Sequence, residues 1–343
     1  MKYAIFFLLS ALLLFFSCES PETQRVENVD VQLIQGEAQG TTYSLKYTGR
    51  SRVEKSQIDS VLDQIDLSLS AWVKESVVTD FNNRDSILVS DHHFLTVFYR
   101  GKEVHDLTGG AFQPMIMPLV RAWGFGPEGG ELTEGVNLDS LQNFVNYDFQ
   151  VVADTNSESI IFVKDAGYQM DVNGIAQGYS VDVVSEFLER EGVENYMVEI
   201  GGELMAKGKN ENGDHWRIGV DKPSSTVENR ELEAIVTLKD AALATSGSYR
   251  KFYEKDGRKY SHTIDPATGE PVNHNLLSAT VLASNCTNAD AFATAFMVMG
   301  VEKTKQFLIS HSEMNLEVFL IYDEGGEVLT FTSEGMKSLV ENL

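Results

Sequence analysis

The sequence predicts an α+β fold in which helices accompany a mostly antiparallel sheet. A length of 343 residues with 43% hydrophobic composition is enough for a sizeable core. Some segments carry apolar residues at helical spacing, whereas others alternate apolar and polar residues as strands do. Neither an internal repeat nor a Pro/Ser-rich linker interrupts the body, so we expect one continuous folded unit.

The first half of the body predicts a strand pair followed by two helices. Residues 31–34 and 42–47 alternate like strands, with glycines between them. A helix is expected from Ser56, which is a plausible N-cap. A second helix is expected across residues 95–104, before the pair Gly109 and Gly110. The apolar positions of these two helices are Ile58, Leu62, Ile65 and Leu69, then Leu95, Val97, Phe98 and Val104.

The second half predicts two junctions at which a loop leads into a helix, within a region rich in strands. A tight turn at residues 171–174 precedes a helix that continues to Leu188, and a second helix follows Asn285. A further helix is expected at residues 301–309. Strand-like runs occupy residues 196–200, 216–220, 232–238, 278–283 and 316–322.

The N-terminus has the anatomy of a signal peptide. Lys2 precedes an apolar run of residues 4–16 that is too short to span a bilayer, which needs roughly 20 residues. We expect residues 1–17 to be removed. Ser17 before Cys18 resembles the cleavage box of bacterial lipoproteins, which predicts lipidation of Cys18; the alternative is an ordinary secretory signal with an incidental cysteine.

Residues 18–30 are polar and acidic, which indicates a tether between lipid and fold. The folded domain is then expected to span residues 31–343. This organisation predicts a protein of the bacterial cell envelope, anchored by lipid to a membrane on the extracytoplasmic side. The remaining cysteine, Cys286, lies in an apolar context typical of inert packing.

A formal net charge of −24 argues against nucleic acid as a partner, because no basic surface is available for a phosphate backbone. The same charge argues against adhesion of the protein body to an anionic membrane surface.

The segment of residues 171–179 has the composition of an anion site. A Gly-rich turn that opens a helix offers unpaired backbone N–H groups and the positive end of the helix dipole, both of which suit a phosphate. The segment lacks the three glycines of a dinucleotide-binding Rossmann unit and the lysine of a P-loop.

Asp290 and Thr294 are four residues apart on an otherwise apolar helix, so their oxygens share one face. With a carbonyl and substrate phosphate, this pair could hold Mg²⁺. The alternative is that Asp290 caps the helix and Thr294 bonds back to a carbonyl.

Four other polar or glycine-rich stretches are out of place in a core. Glycines beside aromatic residues allow a backbone to approach a flat ring while a side chain stacks on it, although turns and packing also explain them. The stretches are residues 39–43, 70–72, 109–126 and 260–269.

Together, these stretches resemble the ApbE family of flavin transferases over nearly the whole mature chain. The family's Asp-Leu-Gly-Gly-Ile-Ala-Lys-Gly-Tyr element is similar to residues 171–179, and its His-Ile-Ile-Asp-Pro-x-Thr-Gly element to residues 262–269. The Met-Gly-Thr, Ser-Thr-Tyr and Gly-Ala-Phe-Asp-Pro elements are similar to residues 39–41, 70–72 and 110–114. An Ala-Asp-Ala helix with a threonine one turn later is matched by residues 289–294.

The resemblance implies a fold related to the T-fold, with a cleft that binds FAD. It also implies that Mg²⁺ binds the Gly174 carbonyl, Asp290 and Thr294. Three positions depart from the family pattern, with Gln39 in place of Met, Gln113 in place of Asp and Gln177 in place of Lys. The implied FAD contacts are Gln39, Trp72, Ala111, Phe112, Gln113, Asp171, Gln177, His262, Thr263 and Ile264.

The implied activity is the transfer of FMN from FAD to a Thr or Ser hydroxyl of a partner flavoprotein in a membrane redox complex, with release of AMP. Asp290 would anchor the metal, and His262 could accept the hydroxyl proton. Asp265 and Asp171 remain alternative bases. Two other functions stay open: an FAD pyrophosphatase that uses water, and a lipid-anchored flavin-binding protein without turnover.

Overall fold

The computed structural model describes residues 30–130, 135–153, 159–223, 231–247, 252–255 and 258–343. The expected signal peptide, Cys18 and the tether up to residue 29 lie outside this part of the chain. No helix within the described ranges combines the length and the apolar character needed to cross a membrane.

The helices lie mainly in the first third and at the two predicted loop-to-helix junctions. They are α1 (Lys55–Leu69), α2 (Val77–Asn83), α3 (His92–Leu107), α4 (Met117–Ala122), α5 (Leu138–Gln142), α6 (Asn173–Arg190) and α7 (Cys286–Ser310). The strands are β1 (Val31–Ala38), β2 (Thr41–Thr48), β3 (Ser86–Val89), β4 (Gln150–Ala153), β5 (Ile160–Val163), β6 (Asn195–Ile200), β7 (Glu203–Lys207), β8 (Trp216–Asp221), β9 (Leu232–Leu238), β10 (Ala241–Gly247), β11 (Phe252–Lys255), β12 (Arg258–Ser261), β13 (Leu276–Ala283), β14 (Glu317–Glu324), β15 (Glu327–Thr332) and β16 (Val340–Asn342).

An eight-stranded sheet organises the molecule in the order β1-β2-β6-β7-β10-β13-β14-β15. Every neighbouring pair in it is antiparallel. Two three-stranded sheets, β16-β9-β8 and β3-β5-β4, and the β11-β12 pair complete the described strands. The α+β class with a mostly antiparallel sheet is therefore confirmed.

Strand β14 shows how the large sheet separates two layers. Val318 and Leu320 belong to the core on the helical side, whereas Phe319 and Ile321 belong to the core shared with β8 and β9. Successive strand residues point to opposite faces of the sheet. A strand that is buried on both faces therefore needs a continuous run of apolar residues. Helices α6 and α7 cover the first face and contact each other directly.

Helix α7 combines the two helices that the sequence predicts at residues 285–299 and 301–309. Gly300 interrupts it with φ 75° and ψ 178°, a conformation that side chains disfavour. The N-terminal half is dominated by fully buried alanines and phenylalanines. Because alanine side chains are small, this half can approach both the sheet and α6 closely.

Two of the differences from the sequence prediction illustrate local effects. Helix α1 begins at Lys55, and Glu54 precedes it with its N–H donating to Gln57 Oε1 at 2.9 Å, so the prediction of Ser56 as N-cap is wrong. Strands β3, β4 and β5 were not predicted because each has only four residues, too few to show an alternation.

Candidate active site

The centre of the site is a close contact between α6 and α7. The backbone N–H of Gly178 donates to Asp290 Oδ2 at 2.9 Å. A Cβ at position 178 would lie 2.3 Å from the Cys286 carbonyl oxygen and 2.7 Å from Asp290 Cβ. Only glycine therefore allows the two helices to come this close.

Two further contacts continue this pairing in both directions. A Cβ at Gly174 would lie 2.8 Å from Thr294 Oγ1. At the other end, Asp182 accepts from the Cys286 N–H at 2.7 Å. Each step advances four residues on α6 and goes back four on α7, which is about one turn of each antiparallel helix. We call these contacts the α6–α7 ladder; its rungs are Gly174–Thr294, Gly178–Asp290 and Asp182–Cys286.

The three predicted metal ligands occupy two successive rungs of the ladder. Thr294 of α7 lies beside Gly174, and Asp290 of α7 lies beside Gly178, one turn further along α6. The Gly174–Thr294 rung lies in the first turn of α6, which begins at Asn173. Cation binding at these residues stays a prediction.

Asp290 is a buried carboxyl, only 3% exposed. Burial raises its pKa to about 7; the nearby negative charge of Asp182 acts in the same direction, and the Gly178 N–H acts against it. A cation beside Asp290 would stabilise its ionised form, because Asp182 places a negative charge near it and so disfavours ionisation.

Ser246 is a further hydroxyl at this end of the ladder, which the sequence analysis did not identify. It lies at the C-terminal end of β10, and its Oγ is 3.4 Å from Thr294 Oγ1. The only signal in the sequence is a short polar run at the end of an apolar strand, which is common in strands that have no function.

The available donors suit a hard cation. They comprise one carboxylate, the hydroxyls of Thr294 and Ser246, and the backbone of the turn at Gly174. Within the described residues, no group of three or more His, Cys, Asp or Glu side chains could hold a metal. A cation here would thus depend on neutral oxygens and on substrate phosphate, which is typical of Mg²⁺ rather than of zinc.

The turn that precedes α6 is connected to the glycine-rich segment near residue 112. The Asp171 N–H donates to the Pro114 carbonyl at 2.7 Å, and Asp171 Oδ1 accepts from the Asn173 N–H at 2.9 Å. Burial raises the pKa of Asp171. The Phe112 ring approaches Gly174, to within 3.3 Å of where a Cβ would stand. Phe112 and Asp171 therefore lie close to the Gly174–Thr294 rung.

His105, on α3, donates a hydrogen bond to this glycine-rich segment. Its Nδ1 lies 3.1 Å from the Phe112 carbonyl oxygen, which can only accept, so Nδ1 must carry the proton. Burial lowers the pKa of His105. Neighbouring Ala111 is half-buried at the edge of the segment.

His262, Thr263, Ile264 and Trp72 belong to a second group. Ile264 is 4% exposed and packs into a cluster with Met117 and Trp123, which Ala71 also contacts. The neighbouring backbone is fixed, because Thr263 accepts from the Val272 N–H at 2.9 Å. The side chain of Ile264 is thus a core group, and only its backbone could contact a ligand.

The polar members of this second group lie nearer the surface. His262 is half-buried, and its ring centroid lies 6.5 Å from that of Phe125. Trp72 follows α1 and is 55% exposed. An exposed indole beside a buried cluster is available to stack on a planar ligand.

Two surface clefts are lined by none of these residues. One of about 480 Å³ is lined by Tyr99, Lys102 and His311, among others. Another of about 740 Å³ is lined by Lys46, Glu211 and Arg217, among others. Neither contains a predicted site residue, so the site is located by convergent chemistry and not by cavity size.

Comparison with known proteins identifies the family. The model of the ApbE family matches residues 39–320 of the chain. The chain belongs to the ApbE family.

Relatives of this ApbE-family chain share most of its length. A protein of Vibrio cholerae named FAD:protein FMN transferase is 38% identical over 306 residues, covering 86% of this chain and 87% of the relative. One of Escherichia coli with the same name is 32% identical and covers 97% and 96%.

Solved structures resemble the ApbE-family fold seen here. The flavin transferase ApbE from Vibrio cholerae superposes with a TM-score of 0.78 at 32% identity, covering 91% of this chain and 99% of that one. The ApbE protein from Thermotoga maritima gives a TM-score of 0.77 at 26% identity.

Two of the three side chains that depart from the ApbE pattern make hydrogen bonds within the protein. Gln113 uses both ends of its amide: Oε1 accepts from the Met115 N–H at 2.9 Å, and Nε2 donates to the Val145 carbonyl at 3.2 Å. Gln39 has φ 53° in the β1–β2 turn, and its Nε2 donates to Ser180 Oγ on α6 at 2.6 Å.

Gln177 lies between these two regions, on the second turn of α6. Its amide is close to Gly201, where a Cβ would lie 2.7 Å from Nε2, and Thr41 contacts the same glycine position. The β1–β2 turn, Gly201 and α6 thus meet along one face of the helix. The implied flavin contacts of the three glutamines remain predictions.

Proposed function

We propose that this protein is a Mg²⁺-dependent FAD:protein FMN transferase. It cleaves FAD, attaches FMN through a phosphoester bond to a Thr or Ser hydroxyl of a partner flavoprotein, and releases AMP. The observation that carries the proposal is the α6–α7 ladder, in which Thr294 lies beside Gly174 at the start of α6 and Asp290 lies beside Gly178 one turn later. The names of the relatives support the same reaction.

The α6 N-terminus would bind the pyrophosphate of FAD. The positive end of the helix dipole favours an anion there. Phe112, beside Gly174, would fix the position of the neighbouring part of the dinucleotide. A hydroxyl at Ser246 or Thr294 could donate to a phosphate oxygen from the opposite side.

Gly174, Asp290 and Thr294 would hold Mg²⁺, which supplies neutralisation of the phosphate charge during bond cleavage. Asp290 must be ionised for this role, and its raised pKa means that protons compete with the cation near pH 7. The Gly178 N–H favours the ionised form and fixes the direction of the carboxylate.

We propose His262 as the base, and each of the two alternative carboxylates accepts a hydrogen bond from a backbone N–H group. Asp265 Oδ1 accepts from the Ala267 N–H at 2.8 Å, and Asp171 Oδ1 accepts from the Asn173 N–H at 2.9 Å. A half-buried imidazole can accept a hydroxyl proton.

The decisive experiment follows flavin fluorescence of a denatured acceptor band. Purified protein is incubated with FAD, Mg²⁺ and a flavin-acceptor domain. Asp290→Ala should abolish labelling, whereas Asp139→Ala, at an exposed site on α5, should not change it. Equal labelling by Asp290→Ala and wild type would refute the metal assignment, and undiminished labelling by His262→Ala would remove His262 as the base.

The same mixture without acceptor distinguishes the other functions. Rapid release of FMN and AMP would show that water is the natural nucleophile and that the enzyme is a pyrophosphatase. FAD recovered intact after long incubation with Mg²⁺ and acceptor would indicate a flavin-binding protein without turnover.

We also propose that the protein is lipid-anchored at Cys18 in the bacterial cell envelope, and that its acceptor is a subunit of a membrane redox complex. Labelling with palmitate in cells tests the anchor, and Cys18→Ser should abolish both the label and membrane association. Mass spectrometry of a co-expressed redox subunit should show the added mass of one FMN.

A further inference from the structure

The third rung of the α6–α7 ladder contains a carboxylate that takes no direct part in the proposed reaction. Asp182 accepts from the backbone N–H groups of Cys286 and Thr287 at 2.7 and 2.8 Å. It also accepts from Thr287 Oγ1 at 2.5 Å. Three donors at the first turn of α7 are therefore bound by one side chain of a different helix.

This arrangement differs from ordinary helix capping. Helix α7 already has its own N-cap, since the side chain of Asn285 accepts from the Asn288 N–H at 2.9 Å. Asp182 binds the N–H groups immediately before, and it does so from α6. It therefore fixes the position of one helix along the other, which Asn285 cannot do.

The ladder contacts of Asp290 and Asp182 are reciprocal. Asp290 of α7 accepts from the backbone of α6 at Gly178, and Asp182 of α6 accepts from the backbone of α7 at Cys286. Each acid lies four residues, about one turn, from the point where its own helix donates. A shift of either helix along its axis would break both sets of bonds together.

We propose that Asp182 is a positioning residue that sets the affinity of the cation site. It holds α6 and α7 in the register that brings Thr294 to Gly174 and Asp290 to Gly178. The inference rests on the proposed function, because it assumes that these residues bind a cation. Groups that orient metal ligands typically change metal affinity about 10–100-fold when they are removed.

The test measures Mn²⁺ binding directly. Free Mn²⁺ is followed by electron paramagnetic resonance as each protein is titrated, and the Mg²⁺ concentration for half-maximal FMN transfer is measured in parallel. Asp182→Asn keeps the shape and one acceptor oxygen, whereas Asp182→Ala keeps neither. We expect the dissociation constant for Mn²⁺ to rise about 10-fold in Asp182→Asn and further in Asp182→Ala. The maximal rate at saturating Mg²⁺ should fall much less.

Asn285→Ala is the matched control. It removes a cap from the same end of α7 without touching α6, so it should lower the melting temperature while leaving Mn²⁺ affinity unchanged. If Asp182→Ala does not fold, Thr287→Val removes only one of the three donors and should raise the Mn²⁺ dissociation constant by a smaller factor.

Two outcomes would overturn the inference, and they are distinguishable. Unchanged Mn²⁺ affinity in folded Asp182 and Thr287 variants would show that Asp182 only stabilises the fold. Absence of Mn²⁺ binding and of Mg²⁺ activation in the wild-type protein would instead remove the cation site itself, and with it the proposed function.

Discussion

The carboxylate of Asp290 is bound by the backbone N–H of Gly178, a residue 112 positions earlier in the chain. The contact is possible because position 178 has no side chain to separate the helices. Within the Asp171–Tyr179 segment, Gly178 therefore serves the packing of α6 on α7. Gly174, at the start of the same helix, leaves room for Thr294.

Gly178→Ala should separate α6 from α7. The added methyl group would stand 2.3 Å from the Cys286 carbonyl, a backbone atom that cannot move independently. Overpacking of this kind costs about 1–3 kcal/mol of unfolding free energy, which urea denaturation would measure. Glu186→Ala, at an exposed position on the same helix, serves as the control. Equal stability of the two variants would contradict the close contact.

Thr294→Val should raise the Mg²⁺ concentration needed for activity, because it removes a hydroxyl while keeping the shape of the side chain. Thr294→Ser keeps the hydroxyl and should behave like the wild type. We expect about a 10-fold increase for Val over Ser, of the size seen when metal-site groups are removed. Mg²⁺ titrations of FMN transfer provide the measurement. Identical Mg²⁺ requirements for the two variants would exclude Thr294 as a ligand.

His105→Ala should weaken FAD binding indirectly, through the backbone that carries Phe112. The imidazole N–H that holds the Phe112 carbonyl would be lost, and with it the fixed path of the glycine-rich segment. Loss of one such bond costs about 1 kcal/mol, equivalent to about fivefold in KM for FAD. His105→Asn can place an amide N–H near the position of Nδ1 and should restore much of the affinity. Fluorescence titration with FAD distinguishes the two variants, and equal weakening in both would argue against the hydrogen bond.

Lys164→Met should stabilise the protein. Lys164 is 6% exposed, its Nζ has no hydrogen-bond partner, and its charge lies 4.8 Å from the centre of the Phe81 ring. An unsatisfied buried donor costs about 1–3 kcal/mol, and methionine fills the same space without one. Urea denaturation at pH 7 would measure the gain, with exposed Lys209→Met as control.

The gain should depend on pH. Burial lowers the pKa of Lys164, while the charges of Asp85 and Asp165 oppose this shift. Between the folded pKa and the ordinary lysine value of 10.5, the unfolded chain binds more protons than the folded protein. The free energy of unfolding of the wild type therefore rises with pH in this window. The advantage of Lys164→Met should accordingly be smaller at pH 10 than at pH 7, and a larger advantage at pH 10 would contradict the lowered pKa.

The sequence was sufficient wherever the signal was local. Residues 56–69 and 173–188 show their helices through apolar positions three or four residues apart, and Asp290 and Thr294 share a face because one turn of the same helix separates them. Short elements such as β3 and β5 gave no comparable signal, because four residues complete only two alternations.

The sequence by itself determined the α+β class, the glycine turn that opens α6 and the pairing of a carboxylate with a hydroxyl on α7. Only the tertiary structure decided that these two places meet, that Gly178 must lack a side chain, and that Ser246 and Asp182 belong to the same helix pair. The reason is physical: spacing along one helix follows from backbone geometry. The register between two helices depends on contacts between residues more than a hundred positions apart, and no local pattern records them.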